Sequence, residues 1–349
     1  MFTVEPIERA VVDAWPIDKA GLPVRVVNAA RKAGVGTVGA LHRMSPEEWG
    51  GLRSIGHLTV QQIQQYFSVC DRVERGAQTF LTVQEVFDLF LDNGELAVLS
   101  WRYGLMHPGP HASRKFMKLQ EIGNELDLTR ERIRQIEAAA RRKLQSLLAL
   151  RCLRPFYIYL QAFIRFRGGL ITWTDARDLD GQAWLTDYNP CPLMLLLHDI
   201  DPSHYTAYRN TFSLWPQETM ESILEKAEAQ LRKHGEPVPI RQLRDELEWD
   251  DAAWMPDTLA KLLHQSGNIA ATKDNRYFLF DHASDAFLHD LLLPMERPAH
   301  FQALTQRFNN SLQPHCHKGS GYVMNVLNGS PRFVRKESGY YDLAQAGGQ

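Results

Sequence analysis

The sequence predicts a mainly α, multidomain protein: helix-hairpin-helix, helix-turn-helix and winged-helix modules in series, with small β-hairpin wings. Three observations carry this. Apolar residues recur at steps of three and four through most of the chain. Glycines and prolines cut those helices short. Strand-like alternation is confined to short pairs around 269–280 and 333–343.

The first module is expected over 1–75. Pro6, Pro16 and Gly21 break up the lead-in. From Leu22 the pattern is helix, glycine turn, helix, with Ile55-Gly56-His57 opening a further helix. Ser45-Pro46-Glu47-Glu48 is a strong helix start, with proline at the first helical position and acids in the first turn. A glycine before a helix lets backbone N–H groups approach a phosphate. Leu22, Val24-Arg25, Asn28, Gly34, Thr37-Val38-Gly39, Leu41, Ile55-Gly56 and Ile63 are shared with a known module. The segment resembles the C-terminal domain of the bacterial RNA polymerase alpha subunit. That resemblance implies minor-groove entry by Arg25, supported by Asn28, Gly56 and Thr59. A lysine of the family is replaced here by Leu58.

The second module is expected over 76–152. Two helices should fill 78–105, with Val83, Val86, Phe87, Phe90 and Leu91 on one apolar face and Leu96, Leu99 and Trp101 on another. Leu119, Ile122 and Leu126 predict a short amphipathic helix, broken at Asp127-Leu128. Thr129 is a good N-cap for the next. There Ile133, Ile136, Ala140, Leu144 and Leu147 form an apolar stripe, and Arg130, Glu131, Arg134 and Gln135 fall on roughly the opposite side. Two helices across a short turn, the second displaying Arg and Gln near its start, describe a helix-turn-helix. Arg pairs bidentately with guanine and Gln with adenine in the major groove.

Lys118 to Gly123, Thr129 to Ala138 and Arg141-Arg142-Lys143-Leu144, with Arg102-Tyr103-Gly104-Leu105 upstream, resemble region 4 of bacterial primary sigma factors. The loop from His107 to Met117 departs from the family pattern. The resemblance implies that Arg130, Glu131, Arg134 and Gln135 read the upstream promoter hexamer. Arg132, Arg141 and Arg142 complete the expected DNA-binding set, within a basic stripe from Arg114 to Arg154 that should hold phosphates. No upstream helix matches the sigma regions that melt the downstream hexamer, so a working sigma factor is not expected.

Residues 153–216 are read as a degenerate winged helix. The acids Asp175, Asp178, Asp180 and Asp187 are irregularly spaced and read as solvated surface; Asp199, Asp201, His198 and His204 sit in a Pro-bearing turn. Over 217–282, three helices and a hairpin about Asp274-Asn275 predict a winged helix, and 283–349 repeats the plan. Ser330 to Arg335 and Gly339 to Leu343 resemble the winged-helix module of the RNA polymerase delta subunit. Lys318, Arg332, Arg335 and Lys336 favour a basic contact there. His315-Cys316-His317 lacks the second ligand pair that zinc needs.

Net charge is −2, but between Ser113 and Arg154 there are 11 Lys+Arg against 5 Asp+Glu. A basic stripe on a mildly acidic chain suits sited DNA contact. Four scattered cysteines point to a reducing compartment. No secretion signal and no run of transmembrane length is read, so a cytoplasmic location is expected. No phosphate-binding loop, nucleophile motif or metal-ligand set is found. The expectation is a non-enzymatic, sequence-specific regulator of transcription without a cofactor. Its expected partners are double-stranded DNA and RNA polymerase or a larger complex, such as a defence or mobile-element system, in which it would be the DNA-targeting or interaction subunit.

Overall fold

The computed structural model describes residues 1–106, 116–186, 188–247 and 256–344. The protein is mainly α, with small sheets of two or three strands. It forms two compact units, Met1–Arg165 with Thr172–Ala207, and Phe166–Ile171 with Tyr208–Gln349. The boundaries expected at 75 and 152 lie inside the first unit, and that at 282 inside the second.

In the first unit, β1 (Phe2–Thr3) pairs antiparallel with β2 (Thr79–Phe80). Helices α1 (Arg9–Asp13), α2 (Val24–Lys32), α3 (Val38–His42), α4 (Pro46–Gly51) and α5 (His57–Glu74) follow the lead-in. Thr37 caps α3, and Ser45 with Glu48 forms a capping box on α4. Next come α6 (Val83–Phe90), α7 (Asn93–Tyr103), α8 (Leu119–Leu126), α9 (Arg130–Leu144), α10 (Leu147–Phe166), α11 (Trp173–Ala176) and α12 (Pro190–Ile200).

Helix α10 corrects the expectation that no run reaches transmembrane length: its 20 residues are apolar and long enough to cross a membrane by length and composition. In this fold it is a core helix. Leu148, Cys152, Leu153, Phe156, Tyr157, Leu160 and Ile164 are buried, Phe2 stacks on Phe156, and the Tyr157 hydroxyl donates to Leu197 O at 2.7 Å.

The second unit repeats one order of elements. Helix α13 (Gln217–His234), strand β3 (Val238–Pro239), helices α14 (Ile240–Glu246) and α15 (Pro256–Leu263), and strands β4 (Ile269–Ala271) and β5 (Arg276–Leu279) come first. Then follow α16 (Phe280–Leu292), β6 (Ala299–His300), α17 (Phe301–Ser311), α18 (Ser320–Gly329), β7 (Phe333–Glu337) and β8 (Tyr340–Leu343). Phe280, expected as the last strand residue, opens α16 instead. The sheets run β3-β5-β4 and β7-β8-β6. One hydrophobic cluster runs through both sets, from Leu224 and Leu262 to Phe308 and Leu327. Between β4 and β5 the chain is clamped: Lys273 N donates to Ser311 O, Gln313 N donates to Ala271 O, and Thr272 bridges Leu312.

Candidate nucleic-acid interface

The interface is built on α7, α8 and α9. Val98, Ile122 and Ile133 are fully buried at their meeting point, flanked by Trp101, Met117, Leu119, Leu126 and Ile136. Asp92 and Glu95 form a capping box on α7, and Gly104 closes it in the left-handed conformation. Asp127 closes α8 at φ 54°, ψ 43°, a region that Asp tolerates better than most side chains, and Leu128 N donates back to Gly123 O at 2.9 Å. A Cβ on Gly123 would lie 2.6 Å from Leu128 O, so the turn needs glycine there. Thr129 then caps α9, accepting from Arg132 N at 3.1 Å.

Helix α9 ends at Leu144. Leu147, expected on its stripe, belongs to α10, because buried Ser146 breaks the helix and accepts from Ala149 N at 3.4 Å to start the next. The apolar face is otherwise as expected: Ile133, Ala140 and Leu144 are buried and Ile136 half-buried. Arg130, Glu131, Arg132, Arg134 and Gln135 are all exposed.

Four of those five residues are joined by hydrogen bonds. The Glu131 carboxylate accepts from Arg134 Nε (2.8 Å) and Nη2 (2.7 Å), and from Gln135 Nε2 (3.2 Å). Arg132 Nη1 donates to Gln135 Oε1 at 3.4 Å. The Arg134 fork, then Gln135, pull the Glu131 carboxyl down to about 2. Glu131 is therefore an ionised, acceptor-only group at neutral pH, the chemistry that accepts from cytosine N4. With Arg and Gln beside it, the face carries donors and acceptors suited to base edges.

The rest of the basic stripe is largely spent inside the fold, which corrects the expectation for Arg141. Its Nη2 donates to Asp199 O at 3.2 Å and its Nη1 lies 3.7 Å from Asp199 Oδ2, a carboxylate that also accepts from the Tyr103 hydroxyl. Lys143 Nζ is 2.6 Å from Glu95 Oε2. Arg151 donates to Glu5 O and Pro6 O, and Arg154 pairs with Glu5 at 2.7 Å. Arg142 stays exposed. Arg114 and most of the loop from His107 lie outside the described residues, as does Asp187.

In the N-terminal module Arg25 and Asn28 are exposed on α2, and Gly56, the N-cap of α5, is open to solvent. Thr59 is a correction: at 2% exposure its side chain faces the core, because α5 starts at His57 and its first turn packs inward at position 59. Leu58 is exposed. His204 stacks on Tyr157 beside Asp201, and Cys316 is buried against Ala271 N. Among the described residues no three His, Cys, Asp or Glu side chains are grouped to hold a metal.

Three helices around Val98, Ile122 and Ile133, with a tight turn at Asp127 and an exposed polar start to the third, define a helix-turn-helix. Residues 91–146 match the family Sigma-70, region 4, a DNA-binding helix-turn-helix module, and the match contains all of α7, α8 and α9. No curated protein and no solved structure matches the chain.

Proposed function

We propose that this chain is a sequence-specific regulator of transcription that binds double-stranded DNA and reads promoter-like sequence through the start of α9. One observation carries the reading: Arg130, Glu131, Arg134 and Gln135 share an exposed face of the second helix of a helix-turn-helix. In this reading the chain binds and does not catalyse. The N-terminal module, with Arg25 and Asn28 exposed, adds an alpha-subunit-like DNA contact, and RNA polymerase is the natural protein partner.

Mobility shifts on promoter and scrambled duplexes, with and without polymerase, test this. Arg134→Ala should cost about 1–3 kcal/mol on the preferred site and much less on random DNA. Equal weakening on both would refute base readout by Arg134.

A second reading is favoured by the second unit. The repeated order helix, strand, helix, helix, strand, strand is that of a winged helix. Yet the third helix of the second set, α18, carries no Arg or Lys, and the hairpin loop of the first set is clamped to 311–313. Those features suit docking to protein, which would make the chain the DNA-targeting subunit of a larger complex. Co-purification from the native host tests it.

A further inference from the structure

We propose that the groove between α2 and α9 holds the phosphodiester backbone of the duplex whose bases face Arg134 and Gln135. The proposal rests on the DNA-reading role of α9 given above. The groove has a volume of about 280 Å³; Asp18, Asn28 and Arg31 line one wall, and Ala139, Arg142 and Lys143 the other.

At its end the Gly21 backbone lies against the buried Ser146 side chain. Gly21, just before α2, has φ +94°, and a Cβ there would lie 2.4 Å from Ser146 Oγ. Only glycine lets the chain approach the α9–α10 junction so closely. Both walls belong to the same compact unit.

Position links the groove to the reading face. Arg142 follows Gln135 by seven residues, two helical turns, so the two share a face about 10.5 Å apart along the axis. That is about three base-pair steps of 3.4 Å. Arg142 Nε donates to Ala138 O at 3.2 Å, which lays its stem along α9. Arg31 Nη2 pairs with Asp18 Oδ2 at 2.9 Å, both side chains being about half exposed. An exposed pair of this kind is a weak competitor for a phosphate. Asn28 adds an exposed amide donor. Lys143 is already engaged by Glu95. The groove thus offers Arg142, Arg31 and Asn28 to a strand running off the read bases.

The test uses the full chain and fluorescence anisotropy on a promoter-like duplex across a range of salt. A companion series replaces single phosphates with uncharged methylphosphonates. With Asn28→Ala, Arg31→Ala and Arg142→Ala combined, the slope of log K against log salt should shrink by about 0.9 per lost phosphate contact, with site preference unchanged. Arg142→Lys should restore part of the slope. A methylphosphonate about three steps from the read bases should weaken the unsubstituted protein and leave the triple variant unaffected. An unchanged slope in the triple variant, or no phosphate position that erases the difference, overturns the groove assignment. An acidic peptide that competes with DNA only at the groove, without any change in slope, would assign it to protein instead. If the unsubstituted chain prefers no sequence, the role of α9 fails and the groove proposal fails with it. If preference is lost only in Arg134→Ala and the slope never moves, the groove proposal fails alone.

Discussion

Gly123→Ala separates helix propensity from turn geometry by the sign of its effect. Position 123 is inside α8, where alanine should be favoured over glycine by about 1 kcal/mol. Yet the added methyl would sit 2.6 Å from Leu128 O, roughly 0.8 Å short of ordinary contact. The neighbour is backbone, held in the tight turn by Leu128 N donating to Gly123 O. Overpacking of this kind costs about 1–3 kcal/mol, and a carbonyl that cannot swing aside places the cost near the upper end. The net expectation is destabilisation by about 2 kcal/mol. Because the core here is small, centred on Val98, Ile122 and Ile133, the loss should appear as local opening. Native-state hydrogen exchange would show faster exchange at the α8 and α9 amides, with little change in the second unit. Slower exchange, with stability up by about 1 kcal/mol, would show that the turn relaxes freely and that the close approach does not constrain it.

Two further predictions concern charge. Lys143→Met should remove the ion pair of the 7%-exposed Glu95, whose carboxylate would keep the Asp92 N–H at 2.9 Å, and destabilise the first unit by about 1–3 kcal/mol, leaving the salt slope of DNA binding unchanged; urea unfolding and salt titration check the two halves. In the second unit, burial and then the nearby His315 push the His264 imidazole down to about 4. It is neutral in both folded and unfolded chains above the ordinary histidine range. As pH falls below about 6.5 the unfolded chain takes up the proton first, so stability drops until the folded imidazole titrates near 4. Between pH 7.5 and 5 the loss is about 2 kcal/mol, and His264→Gln should remove it from the second unit's unfolding transition. An equal pH dependence in the variant would refute the assignment.

The exposed polar face of α9 was legible because its signals are local. Thr129 announces the helix start, Asp127-Leu128 the break, and the spacing of Ile133, Ala140 and Leu144 tells which side is buried. What the sequence hid is long-range. Arg141, Lys143 and Arg151 read as phosphate ligands, but their partners Asp199, Glu95 and Glu5 lie 58, 48 and 146 residues away in sequence. Charge composition cannot show such pairing. Thr59 is a different case: the resemblance implies it as a support for Arg25, but the phase of α5 turns it inward. The end of α9 had a usable signal, since Ser146 is a natural N-cap for α10. Arg31 and the groove it lines had none, because they depend on the approach of Gly21 to Ser146.

The segment around Thr272 has a consequence for how the second unit meets other chains. β4 lies at the edge of its sheet, and an open edge is a template for a foreign strand. Here the template is occupied: Ala271 donates its N–H to the Cys316 sulfur and accepts from Gln313 at its carbonyl. A partner strand therefore cannot add at this end of β4. A fragment cut before α16 would lose that cover. Its bared edge should drive aggregation, whereas the intact unit should stay dispersed under the same conditions.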